Sequence, residues 1–523
     1  MFGKKAWLDL IVSLSIANLA FIKLWLKILP YNAGSNFFLP FSPVNSYIAA
    51  MLNVIIWGGL LFVLIRVCKA GRLFPWLVLS VCSMTCLVVA YGVGASFISV
   101  AKFVFIFGGQ SAHLLTIACW SFALSCLYLQ VRYRQWLARH YAVLPVLFAP
   151  YLLVTFGHSF EAIAKVEPSA HFRPHAHEPA EPLGNALHGN VVWIIFDETD
   201  YRLCFEKRPP FLSLPAFDSF RRTSLSATAA YSPNDNTQTS LPSLLTGIPL
   251  ARTVPAAAGR LDLIHAVTLT RSDFSSQDTI FKEVKRRGGS TALLGWFLPY
   301  SRSLPDVDLC HDYPRYNFYT SDSLLDVLLT QCKEVVDMRF LPFGNTMLGD
   351  NQIQIVQTMG ADVSAALKNH DLSFMFLHYS VPHSPNIYGL RSGTFGFNRN
   401  KREGYFGNVA LADRCLGELR RGMQDKGIWD SSLIVISSDH HWRTNTYDAK
   451  IDKQHVPFMV KFPHQQRAFT YGGRFNTILT KALILAIMDK KIQSPEQAAS
   501  FLDRTMLEGN TPITLSAQQP DAD

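Results

Sequence analysis

The sequence contains no Cys-x-x-Cys pair, no internal repeat and no stretch in which basic residues alternate with aromatic ones. The first absence argues against a cysteine-ligated zinc site. The last argues against a nucleic-acid partner, in spite of a formal net charge of +9. Charge of either sign is scarce, at 17% of 523 residues, and the scarcity is uneven. A chain of this length accommodates about two domains, and here the two halves differ sharply in composition. Nine cysteines divide between them. Cys68, Cys82, Cys86, Cys119 and Cys126 sit in the apolar half as small membrane-type residues. Cys204, Cys310, Cys332 and Cys415 sit in the polar half. An even number permits disulfides outside the cytoplasm, but their pairing does not follow from the sequence.

Five apolar stretches are long enough to cross a hydrocarbon layer of about 30 Å: Trp7–Leu29, Tyr47–Val67, Phe74–Ile106, Leu114–Val131 and Tyr141–Phe156. The first does not read as a cleaved signal peptide. Lys23 and Lys27 follow its apolar core, and four more stretches come after it. Basic residues fall in alternate loops: Lys4 and Lys5, then Arg66, Lys69 and Arg72, then Arg132, Arg134 and Arg139. The loops around Asn32–Asn45 and Gly108–His113 carry no Lys or Arg. This asymmetry predicts a cytoplasmic N-terminus. After five spans the remainder lies outside the cytoplasm, which in a Gram-negative bacterium means a multi-pass inner-membrane protein with a periplasmic domain. Transport is disfavoured, since Lys102 is the main ionisable residue within a stretch.

The expected domains are a transmembrane anchor over 1–158, a linker over 159–188, a catalytic domain over 189–492 and a frayed polar tail over 493–523. The linker's His171, His175 and His177 read as part of a solvated tether rather than a metal site.

In the polar half, short β-rich runs end in potential ligands. Val191–Phe196 stops at Asp197-Glu198-Thr199-Asp200; Phe374–Leu377 stops at His378; Leu433–Ser437 stops at Ser438-Asp439-His440-His441. Helix-like segments, among them Ser276–Arg287 and Asn408–Met423, lie between. Alternation of this kind predicts an α/β domain with a mostly parallel central sheet. Ligands bind such sheets at the carboxyl ends of the strands. Carboxylates and imidazoles gathered there need a cation, and a borderline metal such as zinc accepts the mixed O/N set. Before a helix starting near Thr239–Pro242 come three hydroxyls: Thr237, Thr239 and Ser240. Each reads as a cap or as a nucleophile at an anion-binding helix terminus.

In this order the segments resemble the alkaline phosphatase–sulfatase superfamily, and within it the membrane-bound phosphoethanolamine transferases of lipid A and envelope glycans. Asn190–Thr199 is similar to the first metal strand. Glu198 takes the ligand position in both comparisons, Asp197 only in the sulfatase one. The run T-Q-T-S-L-P-S-L-L-T-G from Thr237 to Gly247 resembles the sulfatase C-x-P-S-R-x-x-L-L-T-G. That register, and the transferase spacing to Pro242, both put Thr237 on the nucleophile. His378-Tyr-Ser-Val-Pro-His383-Ser-Pro385 resembles both the sulfatase Pro-His-x-Pro and a transferase histidine pair. It gives His383 as a substrate-group or second-metal ligand, and leaves His378 equally open to a structural reading. Asp439-His440 looks like the transferase metal pair. Tyr405, Asp413 and Val456-Pro457-Phe458 fit structural segments, and His455 is expected to line the site.

Departures narrow the reading. Trp296 and Leu298 stand where sulfatases carry Lys and His, and there is neither Cys at 237 nor Arg at 241. A formylglycine sulfatase is therefore disfavoured. The transferases' Gly after Asp-His is His441 here, which leaves the donor group open. The resemblance implies zinc, ahead of manganese or magnesium, on Glu198, Asp439, His440 and Thr237, with Asp197 joining in the sulfatase comparison. It implies a phospholipid donor, an envelope lipid or glycan acceptor, and substrate contacts from His378, His383 and His455. The competing expectations are a hydrolase of the same superfamily and a membrane-bound scaffold with a degenerate site.

Overall fold

The computed structural model describes residues 3–29, 37, 44–83, 121, 124–125, 127–164, 190–257, 260–314, 323–339, 346–369, 372–398, 401–444 and 453–507. They form two compact units.

The first unit is helical: Lys4–Ala20, Ile22–Ile28, Val44–Ala70, Arg134–His140, Val143–Leu147, Ala149–Ala164 and Leu324–Arg339, with a short apolar helix at Phe74–Ser83. Two helical stretches among the described residues are long and apolar enough to cross a membrane, Val44–Ala70 and Arg134–Ala164. Of the five expected spans, the second and the fifth are thus present as membrane-length helices. The first expected span is interrupted at Phe21, whose φ of −90° and ψ of 11° separate a 17-residue helix from a 7-residue one. The third is described only to Ser83, so its Lys102 lies outside the described residues, as does most of the fourth. Within the unit the buried Asp9 carboxylate meets Lys69 Nζ at 2.5 Å and Arg66 at 3.5 Å, and accepts from the Tyr141 hydroxyl. Lys69 sits in the last turn of Val44–Ala70, where a cation also suits the helix dipole.

The second unit is α/β. In chain order its strands are β1 Val191–Phe196, β2 Leu225–Ala227, β3 Ala230–Tyr231, β4 Leu250–Ala257, β5 Arg260–His265, β6 Arg271–Asp273, β7 Thr291–Trp296, β8 Leu309–Tyr313, β9 Phe374–Tyr379, β10 Leu433–Ser437, β11 Phe458–Lys461, β12 Phe469–Tyr471 and β13 Phe475–Asn476. Eight make the main sheet, in the order β12-β2-β11-β10-β1-β9-β7-β8. From β10 to β8 every pairing is parallel, and β11 is antiparallel to both its neighbours. The mostly parallel sheet expected from the sequence is therefore present.

β1 is apolar throughout because both faces of the sheet are covered. Side chains alternate sides along a strand. Val191, Trp193 and Ile195 enter one core, with Phe281 and Val284 of the helix Ile280–Arg286 and with Leu483 of Thr480–Met488. Val192, Ile194 and Phe196 enter the other, with Val409, Leu416 and Met423 of the helix Lys401–Asp425. Each such side chain contributes roughly 1.5–3 kcal/mol by leaving water. The helix Ile280–Arg286 starts where the Thr279 side chain accepts from Lys282 N, and carries Lys285 and Arg286 in its last turn, as capping and dipole both favour.

Two further expectations change. The tail beyond 493 contains the helix Pro495–Leu507, whose Ala498 and Leu502 are buried in the first of these cores. Tyr471 also donates to Asp503 at 2.6 Å. The helix Leu324–Arg339, encoded inside the expected catalytic domain, belongs to the helical unit. Cys204, Cys310, Cys332 and Cys415 are free thiols. The linker histidines lie outside the described residues.

Candidate functional site

β1 pairs with β9 on one side and β10 on the other, and Ile195 is in register with both His378 and Ser437. The register delivers the three expected clusters to one end of the sheet. β1 leads directly into Asp197, β10 into Ser438, Asp439 and His440, and His378 is the penultimate residue of β9.

Asp197, His378 and Asp439 each offer a ligand atom, and these atoms lie within 4.8 Å of one another. All three residues are fully buried. His378 Nδ1 lies 2.9 Å from the Trp296 carbonyl, which can only accept, so Nδ1 carries the proton. Nε2 then presents its lone pair to Asp197 Oδ2 at 3.2 Å. His440 is arranged alike. Its Nδ1 donates to the His441 carbonyl at 2.8 Å, and Nε2 faces Asp439 Oδ2 at 3.3 Å. Asp439 Oδ1 accepts from the backbone N–H groups of Glu198 at 3.1 Å and His440 at 2.9 Å. That leaves Asp439 Oδ2, with Asp197 Oδ1, fully buried and without a hydrogen-bond partner.

Two buried carboxylates and the Nε2 lone pair of His378 converge, with His440 beside them and two carboxylate oxygens left without a partner. A divalent cation satisfies such a set, and the donors present fit one. The electrostatics agree. Burial, reinforced by Asp439, holds the Asp197 carboxyl well above the ordinary range. Burial pushes His378 down to about 4, so its ring is neutral, as a metal ligand must be. Burial opposes charge on Asp439, but His440, whose own pKa Asp439 and Asp197 raise, outweighs it and lowers the Asp439 pKa.

Thr237 is the first residue of the helix Thr237–Thr246, whose cap Asn236 accepts from Thr239 N at 2.9 Å. Its hydroxyl lies 3.2 Å from Asp197 Oδ2 and 3.2 Å from His440 Nε2. The two neighbouring hydroxyls are engaged elsewhere. Ser240 donates to the Asp439 carbonyl at 2.5 Å, and Thr239 lies 3.5 Å from the Thr253 hydroxyl.

Glu198 has φ +68°, a left-handed conformation costing about 1–2 kcal/mol without glycine. Its N–H on Asp439 and its carbonyl, which accepts from Tyr405 Oη at 3.0 Å, hold it there. The carboxylate is nearly buried and accepts from Arg443 N at 3.3 Å, with Arg443 Nε at 3.7 Å. Glu198 thus adjoins the cluster through its backbone, while its carboxylate meets Arg443.

His383 is nearly buried. Its N–H donates to the Asp197 carbonyl at 3.1 Å, its Nδ1 lies 2.5 Å from the Ser384 carbonyl, and its ring packs 5.0 Å from that of Trp296. Asn408 fixes this loop by donating to the carbonyls of Pro382, His383 and Pro385 and accepting from Ile387 N. His455 is stacked between Tyr201 and Tyr231, at 4.5 and 5.1 Å, with Nε2 2.9 Å from the Thr228 carbonyl. Those contacts occupy both ring faces and one nitrogen, which is a packing arrangement.

The sequence reading did not single out Tyr300, whose hydroxyl is 2.9 Å from His378 Nδ1. Nor did it single out Arg443 or Asn408. One signal for Tyr300 was present: Gly295 has no side chain, and a Cβ there would collide with the Tyr300 ring. Tyr405 and Asp413 are structural, as expected. Asp413 accepts from the N–H groups of Phe217 at 2.7 Å and Ala216 at 3.2 Å, at the start of the helix Pro215–Arg221.

Comparison with known proteins adds four findings. An ulvan-active sulfatase from Formosa agariphila is 27% identical over 105 residues, 18% of this chain and 20% of that enzyme. The match thus spans about a fifth of its length. Lipoteichoic acid synthase LtaP from Listeria monocytogenes is 14% identical with a TM-score of 0.37, over 57% of this chain and 72% of that one. The phosphonate monoester hydrolase of Agrobacterium radiobacter is 13% identical with a TM-score of 0.38, over 58% and 74%. The family model described as Sulfatase matches residues 189–482, more than half of the chain and the whole of the site built above. The chain belongs to the sulfatase family.

Proposed function

We propose that the chain is a membrane-bound, metal-dependent transferase. It moves a phosphoethanolamine or related phospho-alcohol group from a phospholipid to an envelope lipid or glycan, by way of a phospho-threonine at Thr237. The observation that carries this reading is the Thr237 hydroxyl lying 3.2 Å from both Asp197 Oδ2 and His440 Nε2, beside two orphaned carboxylate oxygens.

A divalent ion held by Asp197, His378 and Asp439, with His440 and Thr237 beside them and zinc as first choice, supplies Lewis acidity when bound. Thr237 attacks the donor phosphorus. A bond forms from Thr237 Oγ1 to phosphorus, and its proton passes to Asp197 or His440, the two groups it already contacts. The bond from phosphorus to the diacylglycerol oxygen breaks, and His383 gives that oxygen a proton. An acceptor hydroxyl then attacks the same phosphorus and gives its proton to His383, while the bond from phosphorus to Thr237 Oγ1 breaks and Oγ1 takes back the proton held by Asp197 or His440. The N-terminus of the helix Thr237–Thr246 favours the phosphoryl charge.

The apolar helices and the alternation of loop charge support an inner-membrane protein with this unit outside the cytoplasm, where a lipid donor and an envelope acceptor are both within reach.

Mass spectrometry of the full chain incubated with phosphatidylethanolamine and no acceptor tests the proposal. A phosphoethanolamine adduct on Thr237, lost in Thr237→Ala, is the expected result. Undiminished transfer by Thr237→Ala overturns it. Release of free phosphoethanolamine without any modified lipid or glycan would identify water as the acceptor and make the enzyme a hydrolase.

A further inference from the structure

The helix Leu324–Arg339 lies in the chain between β8 and β9 of the sulfatase sheet, yet it belongs to the helical unit. It is fastened to Val44–Ala70 by a buried polar lock. Asn53 and Gln331, both fully buried, face each other with Asn53 Nδ2 3.2 Å from Gln331 Oε1. The same Asn53 nitrogen donates to the Leu328 carbonyl at 3.1 Å, and Gln331 Nε2 donates to the Ser46 carbonyl at 2.9 Å. Cys332 Sγ donates to Asn53 Oδ1 at 3.2 Å and accepts from Trp57 Nε1 at 2.9 Å. Every polar atom that Asn53 brings into this apolar helix is thereby used. An amide within a span needs such a partner, because hydrocarbon offers none.

The lock runs from Ser46 to Trp57, a stretch of about 17 Å along the helix axis, in the half of Val44–Ala70 remote from Arg66 and Lys69. Beside it Val44–Ala70 leaves Ile55, Ile56, Trp57 and Leu60 exposed. On the locked helix Leu325 and Leu329, one turn apart, are 63% and 56% exposed. Gln331 and Val327 face inward, and the charged Asp326 and Lys333 flank the two leucines on the exposed side. Apolar surface on two joined helices therefore continues from one to the other.

We infer that Leu324–Arg339 is embedded in the non-cytoplasmic leaflet, with Leu325 and Leu329 against the acyl chains of phospholipid. This inference rests on the membrane reading above, but not on the transfer chemistry. Its argument is continuity: the lock holds this helix against the outer part of a membrane-length helix, so whatever surrounds the exposed face of that part also meets these leucines.

The test uses the full-length chain carrying Thr237→Ala, the substitution expected above to stop transfer, in vesicles of phosphatidylethanolamine and phosphatidylglycerol. The vesicles are doped with a phosphatidylethanolamine carrying a photoactivatable acyl chain. Adducts are mapped by mass spectrometry. The expected result is adducts on 324–333 and on the Ile55–Leu60 face. In Leu325→Glu/Leu329→Glu the adducts on 324–333 should be lost while those on Ile55–Leu60 persist. Adducts on Ile55–Leu60 with none on 324–333 overturn the inference and leave the membrane reading standing. Adducts on neither remove the membrane reading and the inference together. Protein–protein crosslinks from an analogous photoreactive residue at 325, in place of lipid adducts, would give the face to a second copy of the chain and also overturn it.

Discussion

Asp197→Asn tests the cation reading most directly. In the metal-free protein two carboxylates, both fully buried, present oxygens no more than 4.8 Å apart. Two unit charges at that separation repel by about 3.5 kcal/mol at an effective dielectric constant of about 20. Protonation of Asp197, which burial favours, relieves part of this only by taking up a proton. Removing the Asp197 charge should therefore stabilise the metal-free protein while weakening its grip on a divalent ion. The assay is thermal unfolding of the full chain in detergent, with chelator and then with increasing zinc. The parent should melt higher with metal, since binding at a hundredfold excess over Kd contributes about 2.7 kcal/mol. Asp197→Asn should melt above the parent in chelator, by roughly 5–10 °C, and respond less to zinc. A variant that melts below the parent in chelator and keeps the full zinc response would refute the argument, for the charge would then be satisfied by the protein alone.

Thr239→Ala should leave the Thr237 adduct intact, because its hydroxyl lies against Thr253 of β4 and not against Asp197 or His440; loss of the adduct would move the nucleophile. Asn408→Ala should lower the melting temperature, since several buried backbone groups lose their partner at about 1–3 kcal/mol each, and should lower turnover through the misplaced His383 loop; an unchanged melt would show the loop to be held otherwise. Burial raises the Asp413 carboxyl from 3.8 to about 6, against the opposing N–H groups of Phe217 and Ala216. The folded state therefore binds the proton more tightly, so this contribution is complete below pH 4 and is lost as pH rises through 6. Relative to Asp413→Asn, the melting temperature of the parent should fall across that window, and a flat difference would contradict the assignment.

The sheet was legible because β1, β9 and β10 are short, β-branched or aromatic, and end in polar clusters. Thr237 was legible because two spacings met there. His378 was less so: a histidine inside a fully buried strand reads equally as packing, and only the Trp296 carbonyl on Nδ1 shows where Nε2 points. Glu198 illustrates a different limit. Its position beside Asp197 was plain, but its left-handed backbone, set by Asp439 and Tyr405 more than two hundred residues away, decides where its carboxylate goes. In the apolar half, hydropathy marked stretches without marking breaks such as that at Phe21. It also passed over Asp9, whose partners Lys69 and Tyr141 are distant in sequence. The helix Pro495–Leu507 was hidden because it opens on polar residues, and Ala498 and Leu502 form too narrow an apolar stripe to stand out.

The central place of β1 has a consequence for how the protein matures. Asp197 meets His378 across 181 residues, and Glu198 meets Asp439 across 241. The first strand of the sheet is made early and its two flanking partners late, so the carboxylates cannot be drawn together until nearly all of the domain has been synthesised. Any ion captured there is captured by a finished sheet, in the compartment where the sheet closes. The metal content of the isolated protein therefore records the place of folding as well as the affinity of the site.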